Sequence, residues 1–231
     1  MKSLIVKLIR HFQTGISIKE RLVCTTLMYM FFCIAYLTAN RFIDLRSCHN
    51  ISTPVDKALP FMPYFIYPYS FIYIFSMLPS LVCENRALYF RTVVGCALLI
   101  ITSATIFVLF PVSIPRSYEL PAGFTGWIFS QLDWIDNPVC GFPSLHVGLT
   151  LLATFCVFRE NRIFGWICVV IALLTILSTL LTKQHVLWDV VGGAVMAISI
   201  DLLILRNWIR YFIPLEYARQ ELNKVRGNFK F

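Results

Sequence analysis

Charged residues are scarce in this chain: Asp, Glu, Lys and Arg make up 14% of its 231 residues, whereas 58% are hydrophobic. A soluble globular domain is closer to one quarter charged and one half apolar. Several uncharged runs approach or exceed about 18 residues, the length that a helix needs to cross the hydrocarbon core of a bilayer. The composition therefore argues against an ordinary soluble domain and predicts a polytopic membrane protein.

The chain also lacks the cysteine patterns of metal-binding proteins. Its eight cysteines are scattered, without the CxxC or Cys/His spacing that is typical of zinc sites. Cys48 and Cys140 fall on the same side of the membrane in the topology predicted below, which leaves a disulfide between them open, but spacing alone does not establish the required geometry. There is no internal repeat and no sign of a second domain. We expect no metal and no cofactor.

Six hydrophobic runs predict six transmembrane helices in an all-α fold. The predicted spans cover residues 22–39, 65–82, 92–110, 139–158, 163–181 and 186–205. A basic, amphipathic segment at 1–21 precedes them and is predicted to lie on an anionic membrane surface. The six-span domain therefore occupies residues 22–205, and a basic tail follows at 206–231.

The distribution of Lys and Arg orients the predicted spans. The amino end, the connections 83–91 and 159–162, and the tail hold 15 of the 20 Lys and Arg residues, and the three opposite connections hold the other five. Because basic residues favour the cytoplasmic side, both termini are predicted to be cytoplasmic. The net charge of +8 thus indicates topology rather than nucleic-acid binding. The opposite connections would face the periplasm, the cell exterior or an organelle lumen, and the short loops favour a bacterial cytoplasmic membrane.

Three features of the apolar segments carry further predictions. The longest outward connection, 112–137, has apolar residues at helical spacing, which predicts an interfacial helix that either anchors the chain or guides a lipid headgroup. These residues are Phe124, Trp127, Ile128, Leu132 and Ile135. Pro68 and Pro79 are predicted to kink the second span. Asp201, at the inner end of the last span, is interpreted as a helix-packing carboxylate.

Two histidines and one carboxylate lie at the outward ends of the spans. His185 and Asp189 are four residues apart, so they share one helical face. An Asp in that position accepts the imidazole N–H, fixes the tautomer and leaves the other ring nitrogen as a nucleophile. His146 lies near the start of the fourth predicted helix and suits the role of acid toward a leaving oxygen. These three residues predict a phosphoryl-transfer site.

Three further residues are predicted to bind the phosphate. Ser144 precedes His146 at a helix amino terminus, where it either caps the helix or donates to a phosphate oxygen. Arg116 and Lys183 are two of the five outward cations and would surround the phosphate with fixed positive charge. A metal site made of the two histidines and Asp189 is the alternative, but these residues do not form a recognisable metal-ligand motif.

Two strings resemble the signature motifs of a known family. The string FPSLH at residues 142–146 and the string S-x6-HVLWD at 178–189 resemble the second and third motifs of the type 2 phosphatidic acid phosphatase superfamily. That superfamily includes lipid phosphate phosphatases and is related to vanadium haloperoxidases. The Pro-Ser-Leu-His form resembles the branch that contains inositol phosphorylceramide synthase. The resemblance covers about residues 110–193.

The resemblance implies a role for each residue of the triad. His146 would protonate the leaving group, His185 would form a phosphohistidine, and Asp189 would orient His185. Two departures from the family pattern concern the cations of the phosphate pocket. In the first motif, Arg116 is followed by Ser where the family has Pro, and in the third motif Thr follows Ser178 where the family usually has Arg. Lys183 is predicted to replace that charge.

The sequence therefore predicts an integral membrane lipid phosphatase that acts on a phosphorylated lipid at the outer face. Its partners would be this substrate and the surrounding membrane lipids. A phosphotransferase is the first alternative, because transfer to an alcohol shares the same first half-reaction. A catalytically inactive membrane scaffold is the second, and the presence of all three triad residues argues against it.

Overall fold

The described residues of the protein form helices joined by short connections. The computed structural model describes residues 15–116 and 118–206, and in this part of the chain there is no β-strand. The all-α class is confirmed. The helices are α1 (Ile18–Phe42), α2 (Pro54–Ala58), α3 (Ile66–Ser70), α4 (Ile72–Phe75), α5 (Leu78–Val82), α6 (Arg86–Leu109), α7 (Gly123–Ile135), α8 (Leu145–Glu160), α9 (Arg162–Leu181) and α10 (Leu187–Ile200). Short 3₁₀ turns lie at Leu45–Ser47 and Pro63–Phe65, and a π-helix at Asp201–Leu205 extends α10.

Four helices of the described residues are long and apolar enough to cross a membrane. They are α1, α6, α9 and the combined helix Leu187–Leu205. This finding supports a polytopic membrane protein. The helix α8 has 16 residues and the predicted second span is divided, so neither reaches that length, and the count of six stays a prediction. Residues 1–14 and 207–231, which hold most of the predicted amino-terminal segment and tail, lie outside the described residues.

The predicted second span is interrupted near both of its prolines. Pro68 lies within α3 and Pro79 at the start of α5, and the helix breaks at Phe71 and again at Ser76 and Met77. A proline has no backbone N–H to donate to the preceding turn, and its ring crowds the carbonyl four residues earlier. The break at Ser76 and Met77 therefore agrees with the predicted kink at Pro79. The break at Phe71 follows Pro68, so the missing N–H of that proline does not explain it. The two breaks divide the span into α3, α4 and α5.

The fourth helix begins six residues later than the sequence predicts. Residues 139–144 were expected to be helical, but Gly141 N donates to Val112 O (3.0 Å) and the chain there is non-helical. Pro143 disfavours a helical conformation at the preceding residue. Ser144 is the N-cap, and its Oγ accepts a hydrogen bond from Val147 N (3.3 Å). The helix α8 therefore starts directly before His146.

The helix α8 lies at the centre of the bundle. It packs along α9, α10 and α6, with α4 and α5 on its remaining side. Gly148 allows the close approach of α6, because a Cβ at this position would lie 2.6 Å from a methyl carbon of Leu99. At the far end, Arg159 donates to Asp201 Oδ2 (2.7 Å). Asp201 thus ties the π-helix to α8, in agreement with the predicted packing role.

The helix α7 lies where the sequence predicts an interfacial helix. Phe124 and Trp127 on this helix are 65% and 55% exposed, whereas Phe129 is fully buried against the bundle. The helix is therefore attached by one face and presents aromatic side chains on the other, as an amphipathic interfacial helix does.

The disulfide that the sequence left open is not formed. Cys48 and Cys140 both have free thiols, and the Cys48 thiol donates to Asp44 O (3.5 Å). The two segments do lie close together, since His49 and Cys140 each form a β-bridge with Val112. Backbone pairing, not a covalent bond, connects these segments.

Candidate active site

The side chains of His185 and Asp189 are in direct contact. His185 Nδ1 lies 3.2 Å from Asp189 Oδ2, and the same oxygen accepts from Val186 N (3.0 Å). Asp189 is fully buried and His185 is 7% exposed. Because a carboxylate accepts at Nδ1, that nitrogen carries the proton and Nε2 remains available as a nucleophile.

A tight reversal between α9 and α10 places His185. The carbonyl of Thr179 accepts from both Gln184 N and His185 N, at 3.0 Å each. Lys183 makes the reversal with a left-handed backbone conformation (φ 57°). The chain then enters α10 at Leu187, so that Asp189 lies in the first turn of the helix with its carboxylate directed back to Val186 N. The first turn of α10 therefore fixes the position of the Asp189 carboxylate, which accepts the hydrogen bond from His185.

His146 lies beside His185 although 39 residues separate them in the chain. The centroids of the two imidazole rings are 5.5 Å apart at an interplanar angle of 61°. Tyr69 stacks on His146 at 4.7 Å, and Tyr73 contacts its edge at 6.1 Å. The structure therefore brings together the two predicted catalytic histidines, and aromatic rings from α3 and α4 hold the second one.

Two glycines allow the predicted motifs to approach each other. Ser144 N donates to the Asp189 carbonyl (3.0 Å), which joins the start of α8 to the start of α10. A Cβ at Gly193 would overlap the Ser144 carbonyl, and a Cβ at Gly141 would lie 3.2 Å from Asp189 Oδ2. Gly193 therefore leaves no room for a side chain, whereas a Cβ at Gly141 would require its neighbours to shift by a few tenths of an ångström.

Ser144 acts as a helix cap in this structure. Its Oγ accepts from Val147 N and its side chain is buried at 1% exposure. Capping was one of its two predicted roles. The hydroxyl proton remains available for donation, so a contact with a phosphate oxygen stays a prediction.

Arg116 is paired with carboxylates rather than left as an isolated cation. Its Nη1 donates to Asp133 Oδ1 (3.0 Å) and to the Asp136 carbonyl (2.7 Å), and its Nη2 donates to Asp136 Oδ2 (2.6 Å). Burial is the largest single influence and lowers the pKa of Arg116, but the charge and the hydrogen bond of Asp136, together with Tyr69 and Tyr118, outweigh it and the pKa is raised. The guanidinium is thus charged, and two carboxylates balance that charge.

Lys183 is predicted to bind the substrate phosphate, and in the structure its side chain holds the segment around α2. Its Nζ donates to the carbonyls of Asp56 (2.7 Å) and Leu59 (2.6 Å). The Asp56 carboxylate in turn accepts from Leu187 N (2.7 Å), the first residue of α10. Lys183 and Asp56 together fasten the segment around α2 over the start of α10. Sequence reasoning did not find Asp56, because nothing in its local pattern points to a contact 131 residues away.

A buried polar network supports the loop that enters FPSLH. Asp136 Oδ1 accepts from Tyr36 Oη (2.5 Å) and from Asn40 Nδ2 (2.9 Å), and Asn40 Oδ1 accepts from Asn137 N (2.9 Å). Asn40 is fully buried. The sequence analysis missed this network, although an amide at the end of an apolar run is a usable signal, since polar groups in spans are costly unless they have a role.

An apolar cavity of about 270 Å³ opens beside His146. It lies between α1, the α3–α5 segment, α6 and α8, and Asp136 and His146 line one end of it.

In the described parts of the chain, no group of three or more His, Cys, Asp or Glu side chains has an arrangement that could hold a metal ion. The geometry therefore does not support the alternative of a metal site at the two histidines and Asp189.

Comparison with models of known protein families gives a match. A family model described as the PAP2 superfamily matches residues 33–203, about three quarters of the chain, and the matched range includes all six predicted site residues. A search of curated proteins finds no match to the chain. The family match confirms the resemblance that the two motifs indicated.

Proposed function

The chain belongs to the PAP2 superfamily, and we propose that it is an integral membrane phosphatase that removes the phosphate from a phosphorylated lipid. Membership of this family indicates phosphatase or phosphotransferase activity. One observation carries the specific proposal: His185, oriented by Asp189 at 3.2 Å, lies next to His146 at a ring separation of 5.5 Å. A nucleophile, its orienting group and an acid are the parts that covalent phosphoryl transfer needs.

In the first half-reaction, the lone pair on His185 Nε2 attacks phosphorus and the bond from phosphorus to the lipid oxygen breaks. His146 donates a proton to that oxygen, and the lipid leaves as an alcohol. Asp189 stabilises the positive charge that develops on the His185 ring. The result is a phosphohistidine and a neutral lipid alcohol.

In the second half-reaction, water attacks the phosphohistidine and His146 accepts a proton from it. The bond between nitrogen and phosphorus breaks, which releases inorganic phosphate and restores both histidines. An alcohol in place of water would give a new phosphate ester by the same route. The enzyme would then be a phosphotransferase, and identifying the product distinguishes the two.

The apolar cavity supports a lipid as the substrate. It is adjacent to His146 and extends away from it between helices, so a molecule with its phosphate at the histidines has an apolar volume next to it. Ligand sites of this kind combine mostly apolar walls with a few polar groups at one end.

We also propose that the chain crosses the membrane six times, with both termini in the cytoplasm and the site facing outward. The α3–α5 segment and α8 would supply the two crossings beyond the four candidate spans. To test this, a single cysteine replaces Glu119 or Arg162 in a variant without native cysteines, and intact cells are treated with a membrane-impermeant maleimide. We expect labelling at Glu119→Cys alone, and labelling at Arg162→Cys alone would reverse the topology.

The activity is tested with purified protein in detergent containing EDTA. Several lipid phosphates are offered, and free phosphate and lipid products are followed by mass spectrometry. The test variant is His185→Ala, and the matched control is His49→Ala, because His49 stacks on Phe110 outside the site. We expect phosphate release by the wild type and the control, and none above background by His185→Ala.

Other outcomes would replace the proposal. A new phospholipid with little free phosphate would make the protein a phosphotransferase. Loss of activity in EDTA that a divalent metal restores would contradict metal-independent chemistry. Inactivity of the folded wild type on every substrate would favour the inactive scaffold.

A further inference from the structure

The cavity beside His146 has a defined depth. Along α6 its lining runs from Ile100 to Tyr89, a separation of eleven residues or roughly 16 Å at 1.5 Å per residue. The upper end reaches Asp136 and His146, and therefore the site. A ligand with its phosphate at the histidines can therefore extend from them along the length of this cavity.

The walls of the cavity suit a hydrocarbon chain. Met28 and Phe32 from α1, Ile72 from α4 and Leu149 from α8 line its length. Among the described residues that line it there is no Lys or Arg, and Asp136 and His146 at the upper end are the only His, Asp or Glu. Hydroxyl groups of Thr, Ser and Tyr residues also line the cavity, but most of its surface is apolar. A sugar or polyol would therefore leave many of its own hydroxyl groups without partners, which is costly, whereas an alkyl chain would not.

A hydrogen-bonded pair of side chains marks the lower end. Tyr89 Oη lies 2.8 Å from Thr25 Oγ1 and donates to the Arg21 carbonyl (2.7 Å), which joins α6 to α1 at this level. The Tyr89 ring is 1% exposed and lines the cavity. Because both hydrogen bonds of the Tyr89 hydroxyl are with α1, the ring is held in place and cannot rotate away without breaking them.

We propose that this cavity binds a single hydrocarbon chain of the phosphorylated lipid and that Tyr89 forms its floor and limits the length of the chain. The inference rests on the proposed function for the position of the phosphate. The hydrocarbon chain gains affinity from each methylene group that is buried in the cavity, and it gains nothing further once its end reaches the Tyr89 ring. The enzyme therefore discriminates among lipids by chain length.

The test measures binding separately from catalysis. Single-chain alkyl phosphates that differ by two carbons are titrated into the full-length His185→Ala protein by calorimetry, each below its critical micelle concentration. Up to the floor, each added methylene is expected to lower Kd by about fourfold. Beyond it, Kd is expected to level off or rise. Tyr89→Ala in the same background should move that break to longer chains.

Two further variants keep the test decisive if Tyr89→Ala is poorly folded. Tyr89→Phe retains the ring and should leave the break where it is. Val93→Phe adds a ring inside the cavity near its lower end and should move the break to shorter alkyl chains. A series in the His185→Ala protein with no break, or a break that neither Tyr89→Ala nor Val93→Phe moves, would overturn the inference.

The binding series tests the chain-binding cavity and the activity assay tests the phosphatase, so either proposal can be rejected without the other. A break that moves with the variants, in a protein that releases no phosphate, would keep the chain-binding cavity and reject the phosphatase. Phosphate release with no dependence on chain length would keep the phosphatase and reject Tyr89 as the floor.

Discussion

Arg116 offers the sharpest contrast between what the sequence predicts and what the structure contains. The sequence predicts a cation that binds the substrate phosphate, whereas the structure pairs its guanidinium with Asp133 and Asp136. The substitution Arg116→Met keeps an apolar stem of similar length and removes the charge and every donor. If the pairing is the main role of Arg116, the substitution should destabilise the fold.

The magnitude follows from the exposure of the two partners. The Arg116 side chain is 9% exposed and Asp136 is 18% exposed, so this pair is largely buried, whereas Asp133 is 35% exposed. Breaking a buried pair costs about 3–5 kcal/mol, and an exposed pair contributes at most about 1 kcal/mol. Because Tyr36 and Asn40 still donate to Asp136, we expect a loss of about 3 kcal/mol, near the lower limit of that range. For a chain of this size, that corresponds to a Tm lower by roughly 6–12 °C.

The assay is thermal unfolding of the purified protein in detergent, together with KM for a lipid phosphate. A double-mutant cycle with Asp136→Asn should give a coupling energy of about 2 kcal/mol, since the two side chains are in direct contact. An unchanged Tm with a KM raised by an order of magnitude or more would refute this reasoning and restore Arg116 as a phosphate ligand.

Two further predictions concern the neighbours of His185. Asp189→Asn should lower kcat by roughly three to four orders of magnitude with little change in KM, because an amide can hold the wrong imidazole tautomer. Steady-state kinetics measure both constants. A kcat within tenfold of the wild type would contradict the orienting role. Lys183→Met should destabilise the fold by about 2 kcal/mol, since two charged hydrogen bonds are lost, while the exposed control Lys57→Met changes little. A large rise in KM without loss of Tm in Lys183→Met would instead make Lys183 a phosphate ligand.

The residues of the triad could be predicted because local signals determine them. His185 and Asp189 are one helical turn apart, so their contact follows from helix geometry alone. Their approach to His146 also requires that both motifs fall on the same side of the membrane, which the distribution of Lys and Arg predicts. The break before Pro79 follows from the missing backbone N–H of this proline.

The remaining contacts depend on chain paths that hydropathy does not describe. Asp136 meets Arg116 only because the connection returns along α7, and Asp56 meets Leu187 from a segment 131 residues earlier. The start of α8 was predicted too early because residues 139–144 are mostly as apolar as a helix interior. Backbone pairing of Gly141 with Val112 makes them part of the connection before α8 instead.

The central claim is that His185 is the nucleophile. Purified protein is mixed with a lipid phosphate, quenched within seconds in base, which preserves phosphohistidine, and digested for peptide mass spectrometry. The account predicts one added phosphoryl group on the peptide that contains His185, and its absence in His185→Ala. A phosphoryl group on another residue, or turnover by a protein that never becomes phosphorylated, would contradict it.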